Sequence, residues 1–329
     1  MRRSIGRRSV IGLLGGAAVG WPLAASAQQP AMPVVGFLHQ GALQPNVLSL
    51  NAFRSGLQDS GFDEGRNLKL ELRWADGKYD QLPALAADLV RRQPAAIAAA
   101  LLPAAQAAKA ATATIPLVFI SGSDPVETGL VTRLNRPSEN VTGVSLFSVP
   151  LIAKRLELLH EVIPRAPVVA TLVNPSNPNA EANERGIEVA ARAIGLRIEF
   201  IKASSDQDFE AAFTTIRRMA GAMIVSADGF YASRREQLVA HAARHAIPTM
   251  YFQREFVPLG GLISYGSDTP GMYRQAGVYT GRILKGAKPT DLPVLQPTRF
   301  ELALNLKTAK ELGIDVPPTV LALADEVIE

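Results

Sequence analysis

From residue 34 onward, short apolar runs alternate with longer mixed runs. Val34-Val35-Gly36-Phe37-Leu38 is continuously apolar and has the length of a strand buried on both faces. A helical pattern over 48–60 stops at Gly61, which suits a left-handed C-terminal position. Leu68, Leu70, Leu72 and Trp74 alternate with Lys69, Glu71 and Arg73, the period of a half-buried strand near a sheet edge. The pattern then predicts a helix over 82–92, a strand over 95–100, a helix over 104–113 and a strand over 116–120.

The series restarts further on. Strands are expected at 168–173, 196–201, 222–226 and 248–252, and helices at 180–194, 207–220 and 234–245. Strands alternating with helices indicate parallel sheets with right-handed crossovers. The fold class expected is α/β, with two doubly wound parallel-sheet lobes joined by a three-segment hinge. Candidate crossings are Val141–Ser145, Gly260–Tyr265 and Asp291–Pro297. They divide the chain into a first lobe of 32–144 plus 265–291 and a second of 145–264 plus 292–329. A hinge of several strands resists twist but can bend.

Composition adds a compartment. Arg2, Arg3, Arg7 and Arg8 precede an uncharged stretch from Val10 to Val19, and Ala25-Ser26-Ala27 forms a small-residue cleavage site. This is the layout of an export signal, so 1–27 are expected to be removed and the remainder to work in the periplasm. Arg7-Arg8 before Ser9-Val10-Ile11 fits the twin-arginine variant. The four arginines account for the whole formal charge of +4. A mature chain near neutrality has no electrostatic case for nucleic acid or an anionic membrane. With no cysteine, disulfides, thiolate metal sites and a lipidated N-terminal Cys are excluded.

Catalytic sets are not apparent. Gly143-Val144-Ser145 lacks the second glycine of a nucleophile elbow, and Ala287 stands where a phosphate loop needs Lys. His241 and His245 have a metal-ligand spacing, but His-Ala-Ala-Arg-His lacks the Glu of a zinc-protease helix and reads as a solvated helix face. His160 reads as a structural mid-helix residue. No catalytic residue, metal or cofactor is therefore expected.

Ligands of open parallel sheets bind beyond the carboxyl ends of the strands. The candidates there are His39 and Gln40 after the first strand, Leu102, Pro103 and Ala104 after the third, and Ser123 and Asp124 after the fourth. The second series offers Asn174 and Asn177, then Asp228 and Phe230, then Gln253. Pro103 suits a first helical turn, whose free N–H groups favour a carboxylate. Asp228 could hold a ligand amine, and Phe230 could give an apolar wall. Asn, Ser, Asp and Pro are equally ordinary turn and N-cap residues.

One stretch is more specific. Arg254-Glu255-Phe256, Gly260-Gly261-Leu262-Ile263-Ser264-Tyr265-Gly266, Ile283-Leu284-Lys285-Gly286-Ala287-Lys288-Pro289 and Gln296-Pro297-Thr298-Arg299-Phe300-Glu301-Leu302 resemble the ABC-transporter substrate-binding family that includes tryptophan/tyrosine-binding lipoproteins. Asn305–Lys310, Asp124-Pro125-Val126 and Lys154–Leu159 agree. The resemblance implies a type I periplasmic binding protein that closes on a small-molecule ligand and hands it to an ABC permease in the inner membrane. It also implies aromatic amino acids as ligands, Asp228 facing the ligand amine, and Ser123-Asp124 and the 174–179 loop facing the cleft.

Two positions depart from the family. Leu101-Leu102-Pro103 replaces a small residue and a hydroxyl before the proline, and Gly229 stands where relatives often have Pro. These changes leave room for a more apolar or aromatic carboxylate. A soluble monomer without nucleic acid partners is expected. An exported α/β hydrolase and a ligand-sensing module for a membrane receptor are the alternatives.

Overall fold

The computed structural model describes residues 32–137, 140–146, 148, 151–177 and 180–329; the expected export signal lies outside them. The body from Met32 to Glu329 contains two sheets. The first is built by β1 (Val34–His39), α1 (Val47–Asp59), β2 (Lys69–Trp74), α2 (Leu82–Arg91), β3 (Ala96–Ala100), α3 (Leu102–Ala111), β4 (Leu117–Ser121) and β5 (Val141–Ser145). Its strand order is β2-β1-β3-β4-β5, all parallel. The amphipathic strand β2 lies at the edge, as its alternation predicts.

The second part runs through α4 (Ile152–Val162), β6 (Val168–Val173), α5 (Ala180–Ala193), β7 (Arg197–Lys202), α6 (Asp208–Met219) and β8 (Ala222–Val225). It continues with the short α7 (Gly229–Ser233), α8 (Arg235–Arg244), β9 (Thr249–Tyr251) and β10 (Ile263–Ser267). After α9 (Thr269–Leu284) come β11 (Phe300–Asn305), α10 (Leu306–Glu311), α11 (Pro318–Leu321) and β12 (Glu326–Ile328). The order is β12-β11-β10-β9-β8-β6-β7, parallel except that β10 and β11 are antiparallel.

Alternation along each strand divides the core between two faces. Val35 and Phe37 of β1 pack with α1 and α9, whereas Leu38 faces α2 and α3. Val169 and Ile224 pack with α4 and α5, whereas Leu172 and Val225 face α6 and α8. Helix α9 lies against α1 so closely that a Cβ on Gly56 would meet the carbonyl of Arg274, and one on Gly277 the carbonyl of Phe53.

The chain passes between the sheets after β5, after β10 and before β11. These passages fall later than the sequence reading placed them. Ser145 still belongs to the first sheet, and β10 stays in the second to Ser267. Leu295 bridges to Val144, and Leu292 and Val294 sit in the first sheet's cores. The passages are tied to one another. Ser267 Oγ donates to the Leu146 carbonyl at 2.9 Å. Arg155, 1 % exposed, donates from Nε to the Tyr265 carbonyl at 2.7 Å and from Nη1 to the Ser148 carbonyl at 2.8 Å. Burial pushes its pKa down to about 9, so it remains charged at neutral pH. Among the described residues no helix is long and apolar enough to cross a membrane.

Candidate ligand-binding site

A cavity lies where the carboxyl ends of the two sheets meet. Both sheets change strand order there, the first between β1 and β3 and the second between β6 and β8, the position at which open α/β sheets hold ligands. From the first sheet come Gln40 after β1, Leu101, Leu102 and Pro103 after β3, and Gly122 and Ser123 after β4. From the second come Asn177, then Ala227 and Asp228, then Phe252 and Gln253. Thr269 and Tyr273 of α9, Asn46 and Ser49 near α1, and Leu146 and Ser148 of the first passage complete most of the wall. Counted over positions open to the centre of a water molecule, the volume is about 70 Å³. One water needs only about 10–15 Å³ by that measure, so the space suits a small organic molecule.

Asp228 organises the second-sheet side. Its Oδ1 accepts from the backbone N–H of Phe230 at 2.7 Å and of Tyr231 at 3.3 Å, capping α7. Asn174 donates its amide to Oδ1 at 3.2 Å, and Asn177 to Oδ2 at 2.7 Å. Tyr79, from the first-sheet side, brings its hydroxyl within 3.1 Å of Oδ1 and 3.0 Å of Oδ2. A carboxylate has about four acceptor sites, so protein donors largely occupy this one. Burial raises the Asp228 pKa, and the bonds from Asn177, Asn174, Tyr79 and Phe230 oppose that rise.

Further contacts bridge the two sides. Arg235 Nη2 donates to the Pro45 carbonyl at 2.6 Å, and the Ala42 N–H reaches Ser233 Oγ at 3.4 Å. Gln40 lies across Gly229, where any Cβ would meet its amide and Cγ. That contact accounts for glycine at this position. Gln40 is 2 % exposed, and among the described residues its Oε1 has no hydrogen-bond partner.

His39 sits one layer behind the wall, between Trp74 at 4.6 Å and Tyr273 at 6.4 Å between ring centroids. The Gly41 N–H donates to His39 Nδ1 at 2.8 Å, so the ring proton is on Nε2, 3.2 Å from the Tyr273 hydroxyl. Burial pushes the His39 pKa down to about 3, which keeps the ring neutral. Tyr273 accepts from His39 and keeps its own O–H to donate toward an occupant.

Of the residues singled out in the sequence, Gln40, Leu102, Pro103, Ser123, Asn177, Asp228 and Gln253 line this cavity. His39, Ala104, Asp124, Asn174 and Phe230 do not. Ala104 faces the core from the first turn of α3. Asp124 caps its own turn, accepting from the Val126 and Glu127 N–H groups at 2.7 and 3.2 Å. Asn174 works behind Asp228, and Phe230 packs under the Arg234 guanidinium at 4.6 Å. Pro178 and Asn179 of the 174–179 loop lie outside the described residues. Sequence reasoning missed Tyr273 and Thr269, because α9 follows a second-sheet strand yet packs on the first. Leu101, part of the Leu101-Leu102-Pro103 departure noted in the sequence, does line the cavity, and its φ of 71° is strained for a residue with a side chain. Leu101 precedes α3, whose first turn no side chain caps.

His241 and His245, expected on a solvated face, are instead 17 % and 14 % exposed and lie against Phe213.

The chain is similar to several known proteins. The tyrosine-binding protein of Clostridioides difficile (strain R20291) is 27 % identical over 262 residues, covering 80 % of this chain and 75 % of the relative. A conserved domain protein from Vibrio cholerae superposes with a TM-score of 0.84 at 27 % identity, covering 90 % of this chain and 99 % of the other. An ABC domain in complex with L-Trp from Streptococcus pneumonia gives 0.81 at 26 % identity, with the same coverage. The family described as ABC transporter substrate binding protein, a family of binding proteins and not enzymes, matches residues 17–328. The chain belongs to that ABC transporter substrate-binding protein family.

Proposed function

We propose that the chain is the periplasmic solute receptor of an ABC importer, and that it closes its two lobes over an aromatic amino acid or a closely related carboxylate. The observation that carries this reading is the wall chemistry of the interlobe cavity. Among the described residues Gln40 Oε1 is a buried acceptor without a donor, and it shares the wall with the Asp228 carboxyl and the Asn177 amide. An ammonium group fits that side. No side-chain cap covers the first turn of α3 among the described residues, and the Leu102 N–H there suits a carboxylate together with the Ser123 and Tyr273 hydroxyls. Leu101, Leu102 and Phe252 offer apolar surface to a ring. The ligands named for two relatives, tyrosine and L-Trp, have all three features.

In this reading the Tyr79–Asp228 and Arg235–Pro45 bonds form on closure, and the passages pinned by Arg155 act as the hinge. The closed form would then dock on the permease. A thermal-shift panel of L-Trp, L-Tyr, L-Phe and their desamino analogues tests the ligand class. A ligand at 100 times its Kd should add about 2.7 kcal/mol of stability. If no member of the panel raises the melting temperature, the aromatic amino acid reading fails.

A further inference from the structure

The helices covering the outer face of the second sheet bring together three side chains that share no residue with the interlobe cavity. Glu210 projects from α6, His241 from α8 and His245 from the C-cap of α8, one turn on. Glu210 Oε2 is 3.4 Å from His241 Nδ1, and Oε1 is 3.3 Å from His245 Nε2. Among the described residues neither nitrogen has a hydrogen-bond partner, and both are buried. One donor atom from each of the three residues falls within 4.8 Å of the other two.

We propose that Glu210, His241 and His245 form a binding site for a divalent transition-metal ion of the zinc type. A tetrahedral ion held at about 2.0–2.1 Å sets its donor atoms about 3.3 Å apart. Each imidazole nitrogen already lies at about that separation from one of the two Glu210 oxygens, and a turn of the exposed Glu210 carboxylate would bring a single oxygen toward both. Two imidazoles and one carboxylate are a borderline-soft donor set, suited to zinc, nickel or copper and poorly suited to magnesium or calcium. The rings are held in place. Phe213 stacks on His241 at 5.2 Å between centroids and lies 6.1 Å from His245, and Phe209 meets His241 at 5.9 Å. Glu210, 58 % exposed, leaves an open side for water as a fourth ligand. Arg244 Nη1 holds Glu210 Oε2 at 3.1 Å and competes with the ion for that oxygen.

The probe is Co²⁺ titrated into the chain purified without a histidine tag, followed by displacement with Zn²⁺. The expected result is one Co²⁺ per chain with the visible absorption of a tetrahedral ion and a Kd of about 10 μM or tighter. Glu210→Gln and His245→Gln should each weaken binding at least about tenfold, and His160→Gln should leave it unchanged. Arg244→Ala should tighten binding, an effect that a purely structural cluster would not show. The surface variant Glu210→Gln keeps the fold, checked by circular dichroism, so lost binding reports on ligation. Binding only at millimolar metal, or binding that survives both substitutions, overturns the site.

Discussion

Replacing Asp228 separates three jobs of one carboxylate. In Asp228→Ala, α7 loses its N-cap, a loss of about 1 kcal/mol, and the fully buried Asn174 amide loses its acceptor, a further 1–3 kcal/mol or so. Asn177 and Tyr79 are only partly buried and can turn to water. The ligand-free Ala variant should therefore be about 3 kcal/mol less stable. Asp228→Asn keeps an oxygen for the Phe230 and Tyr231 N–H groups but sets an amide nitrogen against that of Asn177. It also removes a carboxyl whose burial already raises its pKa, so its loss should be about 1 kcal/mol. Tyr79→Phe should cost about 1 kcal/mol in the wild-type background and close to nothing beside Asp228→Ala, because the shared bond is then already gone. Urea unfolding of the ligand-free wild type, Asp228→Ala, Tyr79→Phe and the double variant measures the cycle, and Asp228→Asn is measured beside them. Equal stability of the Ala and Asn variants, or an unchanged cost of Tyr79→Phe in the Ala background, refutes the assignment.

Other outcomes follow from single contacts. Gly56→Ala should destabilise by about 1–3 kcal/mol despite its better helix propensity, because its methyl meets the backbone of Arg274; thermal unfolding reads this directly. His39 has a folded pKa of about 3, below its unfolded value of 6.5. The unfolded chain therefore binds the extra proton between those values, and stability falls as pH falls through that window, by about 1.4 kcal/mol per unit. His39→Gln should flatten that slope in unfolding measured from pH 6 to pH 4. Gln40→Leu should weaken an amine-bearing ligand about tenfold or more by calorimetry and leave its desamino analogue within a few-fold.

The sequence was most legible where burial dictates pattern. The runs of β1, β6 and β8 and the two-residue period of β2 mark strands, and Gly61 and Gly195 mark helix ends. The strand-end rule also led to the cavity, through Gln40, Leu102, Ser123, Asn177 and Asp228. Chain passages were less legible, since a strand pairing at a sheet edge, as Leu295 does beside Val144, looks like a strand leaving it. The antiparallel pairing of β10 and β11 depends on α9 returning to the first sheet, which no local pattern carries. Asp124 and Asp228 look alike in sequence, both at strand ends. Only the fold shows that one caps an exposed turn and the other gathers donors from both sides of the cavity. Glu210 was unreadable as a partner of His241 and His245 because helix packing, not spacing, brings it there.

Small-angle X-ray scattering with and without the ligand found in the panel decides whether the lobes shut over a small molecule. The free chain should be more extended, and saturating ligand should contract it to a profile matching the arrangement held by Tyr79–Asp228 and Arg235–Pro45. Identical profiles at full occupancy would contradict it.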